Sequence, residues 1–279
     1  MSLIEKIMKA TVFPIDKPEA YGLYHILFVI ISLVIMITFC YLMRKNSDKT
    51  FRIVLISMGS FLILTEIYKQ LYYLYAIGVE GYDWDMLPFQ LCSVPMYISV
   101  VAGCMKKCKV RDCILEYLVT IGFLGGIMAY VEPSGILHND LFKLLHSSIW
   151  HAMLIWIALY ILFTKKANFN LKDYPKALIV LAGVVIVATT LNLVFKDKAS
   201  VGFNMCYISP FRNTPLAVFK DFDVFFKNLL GNYPGRIISI IIYLIGVSLG
   251  GFVIYLVSYY IKELASKKEG KIWRKKQLS

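Results

Sequence analysis

Cys92, His146 and His151 are the residues of this sequence best suited to covalent chemistry. A cysteine attacks a carbonyl carbon as its thiolate, and a histidine within reach can take the thiol proton and return it later. Cys92 stands in Leu87-Pro88-Phe89-Gln90-Leu91-Cys92-Ser93-Val94-Pro95. Pro88 suits the first turn of a helix. Pro95 cannot donate to the Leu91 carbonyl, which predicts a kink beside Cys92. The positive end of the helix dipole favours a thiolate there, burial opposes it, and the plainer fate of such a residue is a small apolar core position. His146 and His151 differ by about 140° around a helix, so they do not face one point. One of them fits an interhelical hydrogen bond instead. Glu66 and Lys69, at i and i+3, share a helix face and either neutralise each other or serve a proton path. His138 reads as a solvated loop residue. Cys104, Cys108 and Cys113 lack a convincing fourth ligand, so no metal centre is expected. Phosphate-cradling loops, dinucleotide fingerprints and HExxH patterns are absent from the sequence, which calls for no cofactor.

These residues must be positioned by membrane helices. Apolar residues make up 58% of the chain and charged ones 17%, with a mean hydropathy of +0.65, too little polar surface for a soluble core of this size. Apolar runs of about 20 residues match the length of a helix crossing the hydrocarbon layer. The expected fold is all-α, a polytopic bundle with spans near 22–43, 51–75, 87–104, 113–131, 142–164, 174–195 and 236–261. The net charge of +12 sits in short clusters between these runs. That placement is membrane topology rather than a nucleic-acid surface. The first twenty residues hold Glu5, Pro14, Asp16 and Pro18 and no apolar core, so no cleavable signal peptide is expected.

Arg44, Lys45, Lys49 and Arg52 lie between the first two runs, Lys106, Lys107, Lys109 and Arg111 between the third and fourth, and Lys165, Lys166, Lys172 and Lys176 between the fifth and sixth. A basic tail follows 261. These clusters alternate along the chain, which puts them on the cytoplasmic side and the N-terminus outside. One transmembrane domain, 1–261, and a cytoplasmic tail, 262–279, result. Within the outer segment 196–235, Phe219, Phe222, Phe225 and Leu229 interleave with Lys220, Asp221, Asp223 and Lys227, a pattern suited to a helix lying in the membrane interface or to a loop packed over the bundle. Gly122, Gly125, Gly126, Gly246 and Gly250 suit close helix packing. His25, Glu66, Lys69, Cys92, His146, His151 and Asn192, with Asn204 and Tyr207 beyond the sixth span, gather toward the outer face. Ionisable groups in a bilayer usually face the bundle interior, so one outward-opening polar pocket follows.

The Leu87-Pro88-x-x-Leu91-Cys92-Ser93 segment resembles the signature of YwaF-like bacterial integral membrane proteins, whose animal relatives are the transmembrane protein 164 acyltransferases. The resemblance extends to His25, to His151 in His146-Ser147-Ser148-Ile149-Trp150-His151, to Asn192, Asn204-x-x-Tyr207 and Pro215. It implies a lipid acyltransferase or acyl hydrolase of the bacterial cytoplasmic membrane, with Cys92 as nucleophile, His151 as base and membrane phospholipids as donor or acceptor. His146 is the weaker candidate for the base. Asn192, Asn204, Tyr207 and Gln90 could then donate to an oxyanion, with His25 in support. The alternative from another class is a small-molecule or ion transporter lined by Glu66, Lys69 and His25. A seven-helix sensor is disfavoured, because the last span holds no retinal-type lysine. Nothing in the sequence fixes an oligomeric state.

Overall fold

The computed structural model describes residues 2–76, 82, 84–167, 171–198 and 203–277. Among them every regular element is helical, and a single isolated bridge pairs Pro14 with Asp140. A short α1 (Leu3–Ala10), capped by Ser2, precedes the bundle. Then follow α2 (Leu23–Leu42), α3 (Asp48–Tyr75), α4 (Val94–Cys104), α5 (Lys109–Tyr117), α6 (Phe123–Val131), α7 (Leu141–Phe163), α8 (Tyr174–Val194), α9 (Ala217–Leu230) and α10 (Asn232–Gln277). Among the described residues, six helices are long and apolar enough to cross a membrane; α5 and α6 count as one of these, Lys109–Val131, joined by a π turn at Leu118–Gly122. The loops carrying the basic clusters all fall at one end of the bundle, called here the basic end.

The third pass departs from expectation. Residues 87–93 are not helical, and α4 has only 11 residues, so it rises about 16 Å, roughly half the hydrocarbon thickness. The reason is Pro95. It lies in the first turn of α4, where its missing N–H costs nothing, and so it opens the helix instead of kinking it. Cys92 therefore sits in a turn just ahead of a helix N-terminus, with Ser93 N–H donating to Gln90 O at 2.8 Å.

The segment after α8 contains a helix, α9, which runs antiparallel along α10. Gly231, at φ 89°, makes the reversal. Gly235 meets the backbone of Phe226 and Lys227, and further along the Phe219 ring lies edge-on to Tyr243 and 3.1 Å from the space above Gly246. Only a glycine lets the two backbones approach so closely at 235. The last helix also exceeds its expected end, continuing through the basic stretch as far as Gln277.

Small residues seat the other helices too. Gly59 on α3 faces Met96 O and Val100 of α4, and Gly103 on α4 faces Arg52 O and Ile56 of α3, a reciprocal contact that draws these helices together. The main core joins residues of α2 to α5, α7, α8 and α10, including Cys40, Leu55, Leu62, Met96, Tyr117, Leu154, Tyr160 and Tyr255.

Candidate active site

Two irregular segments meet in the interior. One is 84–93, ahead of α4; the other is 203–216, ahead of α9. Irregular backbone at membrane depth is tolerated where protein groups satisfy its amides, and here they do. Gln90 Nε2 donates to Asn204 O at 3.1 Å, and the Cys206 thiol lies 3.2 Å from Phe89 O, so the segments are bonded directly to each other. Tyr97 OH donates to Pro88 O at 3.1 Å, and Gln70 Nε2 to Met86 O at 2.7 Å. Trp150 Nε1, from α7, donates to the carbonyl of Cys92 itself at 3.0 Å.

The facing segment is held more firmly still. Asn192, fully buried on α8, grips both ends of the Met205 residue: its Oδ1 accepts from Met205 N at 2.6 Å and its Nδ2 donates to Met205 O at 3.0 Å. Asn204 donates to Asn213 O and accepts from Ser209 N, which closes the turn. The buried guanidinium of Arg236 donates to Ser209 O at 3.0 Å and Tyr207 O at 2.7 Å, and pairs with Asp223 of α9 at 3.4 Å. Lys227 lies 3.2 Å from the same carboxylate. This clamp sustains two consecutive non-glycine residues at positive φ, Cys206 at 51° and Tyr207 at 58°. Such backbone persists only where its surroundings over-determine it. The Tyr207 side chain ends in a phenol, which is a hydrogen-bond donor at neutral pH.

Helix α6 packs against both the Cys92 turn and the stretch of α7 that carries His151. A Cβ placed on Gly125 would lie 4.0 Å from Cys92 Cβ, and one placed on Gly126 would lie 3.0 Å from the carbonyl of His151. The neighbouring glycines thus seat the half-buried Cys92 and His151 against adjacent faces of one helix, while Trp150 ties α7 to the Cys92 turn. His151 Nδ1 lies 2.8 Å from Ser147 O. A carbonyl only accepts, so Nδ1 carries the proton and Nε2 keeps its lone pair, the arrangement a general base requires. Counting from Gly125 to the end of α6 at Val131, Cys92 lies about 9 Å below that end.

The remaining candidate residues are dispersed around this centre. His146 faces α3, lining a cavity of about 170 Å³ with Thr65, Tyr68, Phe142 and Trp150. Glu66 and Lys69 form an ion pair at 2.8 Å, and Gln70 donates to the same Glu66 oxygen at 2.6 Å. His25 is buried edge-on to Tyr21, and neither ring nitrogen has a partner among the described residues. His138 is not simply solvated: it is half-buried, with Nε2 3.0 Å from Ser147 Oγ. Of the candidate donors, the amides of Asn192, Asn204 and Gln90 each give an N–H to a backbone carbonyl, which leaves the Tyr207 hydroxyl the freest. Arg236, Asp223, Trp150 and Cys206 were not singled out from the sequence. The one available signal was Arg236, an arginine at the mouth of a long apolar run.

Fold and site define a polytopic α-helical membrane protein whose polar centre is built on broken helices. The chain belongs to the TMEM164 family, whose model matches residues 20–261. That stretch takes in every site residue named above and leaves out α1. No curated protein and no solved structure matches the chain.

Proposed function

We propose that this chain is a lipid acyltransferase or acyl hydrolase working through a thioester on Cys92, with His151 as the base. The observation that carries the reading is the His151 Nδ1 contact with Ser147 O, which leaves Nε2 basic on the helix seated against the Cys92 turn. Family membership is compatible with acyl-transfer chemistry at a membrane. In the proposed step His151 takes the Cys92 proton and the sulfur adds to the carbonyl carbon of a phospholipid ester. The carbonyl electron pair moves to oxygen, where the Tyr207 hydroxyl and the second N–H of Gln90 are the donors. Collapse expels the lysophospholipid alkoxide, which takes the proton back from His151. An acceptor hydroxyl, deprotonated by His151, then adds to the thioester carbon, and the departing Cys92 thiolate takes the proton back from His151; water in the acceptor's role gives hydrolysis.

We further propose that the chain belongs to the YwaF-like bacterial branch, in the cytoplasmic membrane, with the basic end inside and the site opening outward. The Glu66–Lys69 pair is mutually neutralised and bonded to Gln70, which favours a structural role over an ion path. The test is reconstitution into vesicles of labelled phosphatidylcholine and phosphatidylethanolamine. Wild type should generate lysophospholipid with acyl exchange or free fatty acid, and Cys92→Ala and His151→Ala should not. Equal lipid turnover in all three would refute the reading.

A further inference from the structure

Tyr117 ends α5, immediately before the π turn. Its side chain is fully buried, and its hydroxyl has no hydrogen-bond partner among the described residues. Such an orphan destabilises a fold relative to phenylalanine, which fills the same space without a polar atom. A buried polar group left in that state calls for an explanation in a group the resting protein does not supply.

The π turn indicates where that group would stand. Eight residues separate Tyr117 from Gly125, which in an uninterrupted α-helix would set them about 80° apart. A π turn accommodates one extra residue, so the two positions relate instead like i and i+7, within about 20° of one face. Tyr117 is thereby turned toward the side on which Gly125 meets Cys92. Gly122, at the end of the π turn, faces Pro95, which follows Cys92 in the same stretch: a Cβ placed on Gly122 would lie 3.5 Å from Pro95 Cγ. Consistently, the electrostatic neighbours of the Tyr117 hydroxyl are Cys206, Tyr243 and Cys92, side chains from three other segments.

We propose that Tyr117 is a catalytic hydrogen-bond donor of the Cys92 centre, its unpartnered hydroxyl turned by the π turn toward the ester carbonyl oxygen that Cys92 activates. The inference rests on the acyl-transfer reading above. When sulfur adds to the carbonyl carbon and the electron pair moves to oxygen, the Tyr117 O–H bonds to that oxyanion without surrendering its proton. The bond is released when the carbonyl reforms and the alkoxide leaves with the proton held by His151. The orphan in the resting state is the counterpart of a partner gained in the transition state.

Tyr117→Phe tests this with three readouts on the full chain in detergent. Single-turnover acylation of Cys92 by phospholipid should slow by about 10²-fold, the usual loss for one oxyanion donor. Alkylation of Cys92 by iodoacetamide develops no carbonyl oxyanion, so its rate should match wild type. The melting temperature should hold or rise, because the orphan hydroxyl is gone. Acylation at the wild-type rate would overturn the proposal, and so would a parallel fall in acylation and alkylation, which is the mark of a merely structural residue. Absence of any acyl adduct in wild type, with normal alkylation, would instead refute the acyl-transfer reading and the inference with it.

Discussion

Two adjacent glycines should respond in opposite ways to the same methyl group. Alanine at Gly125 would place its Cβ 3.9 Å from Leu154 Cδ1 and 4.0 Å from Cys92 Cβ, ordinary contacts. The substitution removes a flexible residue from a helix, so Gly125→Ala should stabilise the protein by about 0.4–1 kcal/mol. Alanine at Gly126 would meet Ile155 Cγ1 at 2.7 Å, His151 O at 3.0 Å and Ile155 N at 3.1 Å. Carbon atoms prefer about 3.5–4.0 Å, so α7 must retreat by about 1 Å. Overpacking costs about 1–3 kcal/mol, against a helix-propensity gain of about 1 kcal/mol, so Gly126→Ala should be destabilised by up to about 2 kcal/mol. The atoms that must move include the backbone of the base, and a misplacement of about 1 Å can slow chemistry about 10²-fold. Because two of the three contacts are backbone, Ile155→Ala should recover only part of the loss. Thermal unfolding in detergent and single-turnover acylation are the assays. Indistinguishable behaviour of the two alanine variants would refute the close seating of α6 on α7 at His151.

The buried clamp makes a second expectation. Arg236→Met should cost about 3–5 kcal/mol, toward the lower end because Lys227 still faces Asp223 at 3.2 Å, and adding Asp223→Asn should restore part of it in denaturant melts. His138 gives a pH dependence. Its pKa is lowered from the ordinary 6.5, chiefly by burial and then by Lys143 and Lys17, so the fold favours its neutral form. The stability it contributes is fully present above 6.5 and is lost as pH falls from there through the lowered value, so melting temperature should drop across that interval and level off below it, and drop less in His138→Gln. Glu66→Gln should leave Cys92 acylation within about threefold of wild type, because the carboxylate is bonded to Lys69 and Gln70 rather than to the cysteine turn. A collapse of activity in that variant alone would favour the transport reading.

Much of this architecture was legible because the bilayer writes a coarse code. Runs of about 20 apolar residues located six full spans, and alternating basic clusters ordered them. The half-length α4 was not legible. Leu87 to Cys104 is apolar enough to read as one span, and hydropathy does not register that Pro95 opens the helix rather than bending it. Nor could periodicity place α9: its mixture of phenylalanines with Lys220, Asp221 and Asp223 fits an interfacial helix as well as one packed on α10, and the choice is made by Gly231 and Gly235 at the hairpin. Cys92 and His151 could be chosen by residue type. The clamp of Asn192, Arg236 and Asp223 on residues 203–209 could not, because it is made by side chains of three helices closing on one irregular segment, which neither hydropathy nor periodicity registers. The π turn left no signal, since an inserted residue becomes visible only when the faces on either side are compared in three dimensions.

The most direct measurement is intact-protein and peptide mass spectrometry of the purified, detergent-solubilised chain after incubation with phospholipid, comparing wild type, Cys92→Ala and His151→Ala. A hydroxylamine-sensitive acyl mass on the peptide containing Cys92, strongly reduced in His151→Ala and absent in Cys92→Ala, is the predicted result. An acyl mass that persists in Cys92→Ala, or lipid turnover without any adduct on that peptide, would contradict the thioester account.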